Sequence, residues 1–221
     1  MINFERLTRS SDSRLIEEVI SCYQAVFADP PWSEWKRCGV CGKSWGKEKE
    51  GALRELRFMH CGQSLDEFWS REEIAGDIKE CFEKNGSFWV GRNRIGAFSF
   101  CWGFEITRDE LEARLKIPLL AGLRRYCGGD KEFQIAYQSE LGVLTEFRGQ
   151  GHAKNLFKAR LEDFLKQGST VGVVRTREFP QPSVTYSWFT KKLGYQKIAS
   201  YPEGDGRVIL GRSLHGLLEL L

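Results

Sequence analysis

The sequence predicts an α+β fold, a mixed sheet with helices on both faces, and three observations lead there. Segments with helical period alternate with strand-like apolar runs in the order helix, helix, hairpin, helix, strand, helix, strand, helix, strand, strand. A glycine-rich turn separates the apolar run Ile135 to Leu144 from an amphipathic helix at Asn155 to Lys166. A length of 221 residues with 41% apolar and 13% aromatic residues is enough to bury one core and carry an insert.

Arg14 to Phe27 reads as the first helix, because Leu15, Val19, Cys22, Tyr23 and Val26 recur at helical spacing. Pro30-Pro31 stops it. Residues 32–69 show no sustained period and hold four of the seven tryptophans, so they read as an insert within a single domain of residues 1–221. Ser70 with Glu73 forms a capping box that opens a helix to about Lys84. Ser87 to Arg92 and Ile95 to Phe104 make a hairpin across Asn93-Arg94. Thr107 caps a charged helix ending near Pro118, and Leu119 to Tyr126 is a short second one. Gly128-Gly129 breaks the chain before a strand from Phe133 to Leu144. Val171 to Thr176 is a buried strand, and Val184 to Leu193 a helix with Gly194 at its C-cap. Tyr195 to Ser200 and Arg207 to Arg212 complete the sheet.

The charge balance excludes some classes of function. The 33 basic and 30 acidic residues are interleaved, giving only +3, so nucleic acid is not an expected partner. No apolar run approaches the roughly 20 residues of a membrane span, and the N-terminus lacks a signal-peptide layout. A cytoplasmic protein follows as the expectation. The seven cysteines are odd in number and mostly scattered, which argues against a disulfide scaffold.

Arg148-Gly149-Gln150-Gly151-His152-Ala153 has the makings of an anion site. Glycines bring backbone close to a ligand, and the first helical turn leaves N–H groups unpaired at the positive end of the dipole. A pyrophosphate suits such a place. This stretch resembles the acyl-CoA motif Gln/Arg-x-x-Gly-x-Gly/Ala of the GNAT superfamily of N-acetyltransferases. Trp188 to Tyr195 is similar to that family's later helix with its Leu-Gly-Phe/Tyr ending.

The resemblance implies a mostly antiparallel sheet of six to seven strands. It also implies acetyl-CoA as cofactor and an amine acceptor, on a small molecule or a peptide. Backbone N–H groups of Gly149, Gln150, Gly151, His152 and Ala153, after Arg148, would hold the pyrophosphate. Val143 and Leu144 would pair with the pantetheine arm as an added strand. Ser183 and Tyr186 would line the thiol end. An amine must be neutral to attack, and Glu140, at an acidic position common in the family, is the candidate base. The family's usual tyrosine acid is replaced by Thr190, and Tyr186, one turn earlier, is the candidate substitute. A non-catalytic acyl-CoA-binding module and a zinc-dependent interaction module are the rival readings.

Within the insert, Cys38-Gly39-Val40-Cys41-Gly42 has the shape of a zinc knuckle. A second knuckle belongs 15–20 residues on, and Cys61-Gly62 stands there in register, with Phe58 in place of its other cysteine. Two readings stay open. Zinc is held by Cys38, Cys41, Cys61 and His60 (or a water), or a metal-free ribbon packs on Trp32, Trp35, Trp45 and Trp69.

Overall fold

The computed structural model describes residues 2–126, 134–202 and 206–221. Cys127, Gly128, Gly129 and Phe133 lie outside the described residues. Strand β1 (Asn3–Arg6) precedes helix α1 (Ser13–Ala28). The insert carries β2 (Lys36–Arg37), β3 (Ser44–Trp45), α2 (Glu50–Glu55), β4 (Met59–His60), β5 (Gln63–Ser64) and β6 (Asp66–Glu67). After it come α3 (Arg71–Glu83), β7 (Ser87–Arg92), β8 (Ala97–Ile106), α4 (Arg108–Leu115) and α5 (Leu120–Leu123). The chain ends with β9 (Ile135–Val143), α6 (His152–Gln167), β10 (Val171–Arg177), α7 (Val184–Lys191), β11 (Gln196–Ser200) and β12 (Arg207–Ser213).

The main sheet has seven strands in the order β1-β7-β8-β9-β10-β12-β11. β9 and β10 run parallel, with Val171 opposite Ile135. β1 with β7, β10 with β12 and β11 with β12 run antiparallel. The mixed, mostly antiparallel sheet expected from the sequence is therefore present. β1 was not expected: it spans four residues with no alternation of burial, so period alone does not reveal it.

Local chemistry explains the helix starts. Asp12 accepts from the Arg14 N–H at 2.9 Å and caps α1. Ser70 and Glu73 exchange hydrogen bonds at 3.1 and 2.9 Å at the head of α3, and Thr107 and Glu110 do the same for α4. The turn at Asn93 is longer than a two-residue one. Its side-chain oxygen accepts from the Ile95 N–H at 2.8 Å, and its own N–H reaches the Gly96 carbonyl. β8 accordingly starts at Ala97.

The chain divides into two compact units. The first comprises Met1–Glu83, Trp89–Phe100 and Gly142–Leu156. In it Tyr23 of α1 stacks on Phe100 at 5.4 Å and meets the edge of Trp69 at 5.9 Å. Two of the insert's four tryptophans serve this core: Trp32 lies against Phe27, and Trp69 donates its indole N–H to the buried Glu34 carboxylate at 2.9 Å. Trp35 and Trp45 pack inside the insert instead, with Phe58, around Cys38, Leu53 and Leu65.

The second unit comprises Lys84–Phe88, Cys101–Leu141 and Phe157–Leu221. Phe157, Leu161 and Phe164 of α6, Phe189 of α7, and Val174 and Leu210 of the sheet fill its core. Arg160, only 1% exposed, donates to the carbonyls of Trp102 (2.9 Å) and Glu140 (2.7 Å) and to the Gln138 side chain (3.1 Å). It holds β8 and β9 to α6. A buried guanidinium survives only with its donors engaged.

Candidate active site

In the first unit, the end of β9 passes a ring at Gly142, where a Cβ would fall 2.4 Å from Phe100. The Leu144 N–H donates to the Phe98 carbonyl at 2.9 Å, and the Leu144 carbonyl accepts from Phe147. The Val143 carbonyl accepts from Nε of Arg148 at 3.0 Å. These bonds narrow the backbone left at Val143 and Leu144 for an added strand. Nη1 of Arg148 also reaches the Pro30 carbonyl at 3.4 Å, and Thr145 donates to Asp29 at 2.8 Å. The Arg148 guanidinium thus ties the head of the turn to two carbonyls, Val143 at the end of β9 and Pro30 beyond α1.

The turn that follows is open. Gly149 and Gly151 take φ of +76° and +82°, and a Cβ at either would meet no heavy atom within 4 Å. Glycine is required by conformation here, while the space beside the backbone is empty. The N–H groups of Gly149, Gln150, Gly151, His152 and Ala153 find no acceptor among the described residues. They sit at the head of the sixteen-residue α6, whose dipole adds about half a positive charge. Successive unpaired N–H groups in this setting form an anion-binding concavity.

His152 contributes backbone only. Its imidazole is 7% exposed, within ring contact of Phe4, Phe98 and Phe147, and neither ring nitrogen has a hydrogen-bond partner.

Glu140, Ser183 and Tyr186 belong to the second unit. Glu140 lies half-buried on β9 and interacts electrostatically with Tyr137 and Arg175. Burial is the largest influence on Arg175 and opposes its charge, but Tyr137, Glu140 and Tyr201 together hold its pKa above the ordinary value. Ser183 is 1% exposed and caps α7: its Oγ accepts from the Tyr186 N–H at 2.9 Å and shares a bond with Thr176 at 2.8 Å. Its hydroxyl is engaged inside the fold, with Thr176 and with the head of its own helix.

The phenol of Tyr186 donates to Glu178 at 2.6 Å, and the other Glu178 oxygen accepts from Lys197 at 2.7 Å. The Glu178 carboxylate, with some burial, pushes the Tyr186 pKa up. Lys197 and then Tyr186 hold Glu178 down. Thr190 returns its hydroxyl to the Tyr186 carbonyl at 2.7 Å, a bond within its own helix. Tyr186 is therefore a poor proton donor to a leaving thiolate, since its proton is committed to a carboxylate. Nothing in the spacing of Glu178, Tyr186 and Lys197 marks them as a set, because a loop joins them.

The four candidate metal ligands do come together. The donor atoms of Cys38, Cys41, His60 and Cys61 all lie within 4.8 Å of one another. Nδ1 of His60 is 3.6 Å from the Cys41 sulfur and 3.2 Å from the Cys61 sulfur. The N–H of Cys41, followed by His60, draws the Cys38 thiol down to about 6. The Cys41 side chain and burial push Cys61 up to about 11.

No protein-family model matches the sequence, and no curated protein matches it. Solved structures do match in fold. The PaiA N-acetyltransferase of Thermoplasma acidophilum, solved with coenzyme A, is 13% identical with a TM-score of 0.55, over 96% of this chain and 99% of that one. The ribosomal-protein-S18-alanine N-acetyltransferase of Escherichia coli is 13% identical with a TM-score of 0.51, over 97% and 94%. A candidate acetyltransferase of the GNAT family from Desulfovibrio desulfuricans is 10% identical with a TM-score of 0.52, over 97% and 99%. The chain has the fold of the GNAT N-acetyltransferases.

Proposed function

We propose that this chain is an N-acetyltransferase that moves an acetyl group from acetyl-CoA to a primary amine on a small molecule or a peptide. The row of unpaired N–H groups from Gly149 to Ala153, with empty space beside both glycines, carries the reading. These donors suit a pyrophosphate, and Arg148 shapes them through Val143 and Pro30. Bound acetyl-CoA supplies an activated thioester, open to attack by a neutral amine.

Glu140 serves as the general base, taking the ammonium proton directly or through a water. No acid is assigned. A thiol of pKa about 8.5 leaves without one, and orientation supplies much of the rate. Of the two cofactors the sequence raises, acetyl-CoA alone enters this chemistry, and zinc belongs to the insert. Among the described residues no helix is long and apolar enough to cross a membrane. An odd number of mostly scattered cysteines suits a reducing compartment, so we place the protein in the cytoplasm.

Glu140→Gln tests the base. It is expected to lower kcat/KM at least about 100-fold against a reactive amine, with the loss shrinking as pH rises and the amine deprotonates itself. Acetyl-CoA affinity should stay unchanged. An unaltered rate removes Glu140 from the mechanism. The commitment of the Tyr186 proton to Glu178 favours a second reading, an acyl-CoA-binding module without turnover. Acetylation of any amine in a broad panel rules that out.

A further inference from the structure

The insert holds little of its own core: Cys38, Leu53 and Leu65 are buried, with Trp35, Trp45 and Phe58 packed against them. A folded unit that small needs a staple. Two short hairpins present the material for one. β2 and β3 pair with Lys36 opposite Trp45, and their connection carries Cys38 and Cys41. β4 and β5 pair with His60 opposite Gln63, and their connection carries Cys61.

Each connection carries a cysteine followed by a left-handed glycine. Gly42 and Gly62 take φ of +71° and +78° directly after a cysteine. In the first, the Cys38 N–H reaches the Lys43 carbonyl at 2.8 Å and the Gly42 N–H reaches the Cys38 carbonyl at 2.9 Å. In the second, Cys61 itself adopts φ of +48°, unusual for a residue with a side chain. That conformation folds its sulfur back toward His60 Nδ1, so neighbouring residues reach one point. The Trp45 and His60 rings meet edge to face with centroids 5.0 Å apart, which orients the imidazole.

We propose that Cys38, Cys41, Cys61 and Nδ1 of His60 bind one Zn²⁺ in a closed tetrahedral site that staples the two hairpins together. Zn–S bonds of about 2.3 Å and a Zn–N bond of about 2.1 Å place sulfurs about 3.8 Å apart and sulfur about 3.6 Å from nitrogen. The Cys41–His60 distance of 3.6 Å already has that value, and no two of the four donor atoms lie more than 4.8 Å apart. Three thiolates and an imidazole select zinc over magnesium or calcium. Four protein ligands leave no open position for water, so the ion is structural.

The test uses the full chain, isolated without chelator. Elemental analysis should find about one zinc per chain, and cobalt exchanged into the site should show tetrahedral ligand-field and thiolate charge-transfer absorption. Cys41→Ser and His60→Ala should each weaken zinc binding at least about tenfold. Acetyl-CoA binding should persist in both variants, which keeps this test apart from that of acyl transfer. Less than about a tenth of an equivalent of zinc, with no tetrahedral cobalt spectrum from the reduced protein, overturns the proposal. So does a Cys41–Cys61 disulfide in the freshly isolated chain.

Discussion

Helices α6 and α7 both begin shortly after a strand, and each starts with N–H groups that have no partner within the helix. At α7 the chain satisfies one of them itself. Ser183 accepts from the Tyr186 N–H, Thr176 holds Ser183, and both hydroxyls are buried. At α6 there is no such cap. Two glycines in left-handed conformation lead in, and five successive N–H groups meet no acceptor among the described residues. A capped start is finished when the protein folds. An uncapped one, held in shape by Arg148 and Thr145, leaves its donors available to an anion.

Gly151→Asp should break the contrast most strongly. It forces a side chain into φ +82° and aims a carboxylate at the anion site. Acetyl-CoA affinity should fall at least about 100-fold, roughly 2.7 kcal/mol, in a calorimetric titration. His152→Leu asks whether the imidazole does anything beyond filling space. Removing two buried, unpartnered nitrogens from among three phenylalanines should raise stability by about 1–2 kcal/mol in a denaturant melt. Acetyl-CoA binding should hold, and a destabilised variant instead shows that the ring nitrogens are satisfied in solution.

Ser183→Ala should cost about 1 kcal/mol of stability, the ordinary value of a lost cap, with acetyl-CoA affinity unmoved. A large loss of affinity would put Ser183 back in the cofactor site. The smallest effect belongs to Glu178→Gln. Its carboxylate is what chiefly raises the Tyr186 pKa, so the variant should form the Tyr186 phenolate at lower pH in an ultraviolet titration. An unmoved titration shows that the bond to Glu178 does not govern Tyr186.

The anion turn was legible because its parts are contiguous: one arginine, two glycines and a helix start need no tertiary fold to be seen together. Even so, α6 begins at His152, directly after Gly151, and not at Asn155. The caps at Ser70 and Thr107 were legible for the same reason of short range. The Cys/His cluster was legible in pairs, from spacing. What spacing hid was that Cys61 turns left-handed to bring its sulfur round to its own neighbour. β1 and the two-residue strands of the insert are too short to show a period. Arg160 reads as one more polar residue of an amphipathic helix, yet it is buried on carbonyls from β8 and β9. Long-range partners of that kind leave no trace in sequence. The same holds for Glu178, which accepts the Tyr186 phenol's hydrogen bond across a loop.

The most direct test is a calorimetric titration of the purified chain with acetyl-CoA, run beside Gly151→Asp. Micromolar binding by the natural chain, lost in the variant while its circular dichroism and melting curve stay close to the original, is the expected result. Absence of binding by the natural chain, or equal binding by both, would contradict the assignment of the Gly149–Ala153 backbone as the cofactor site.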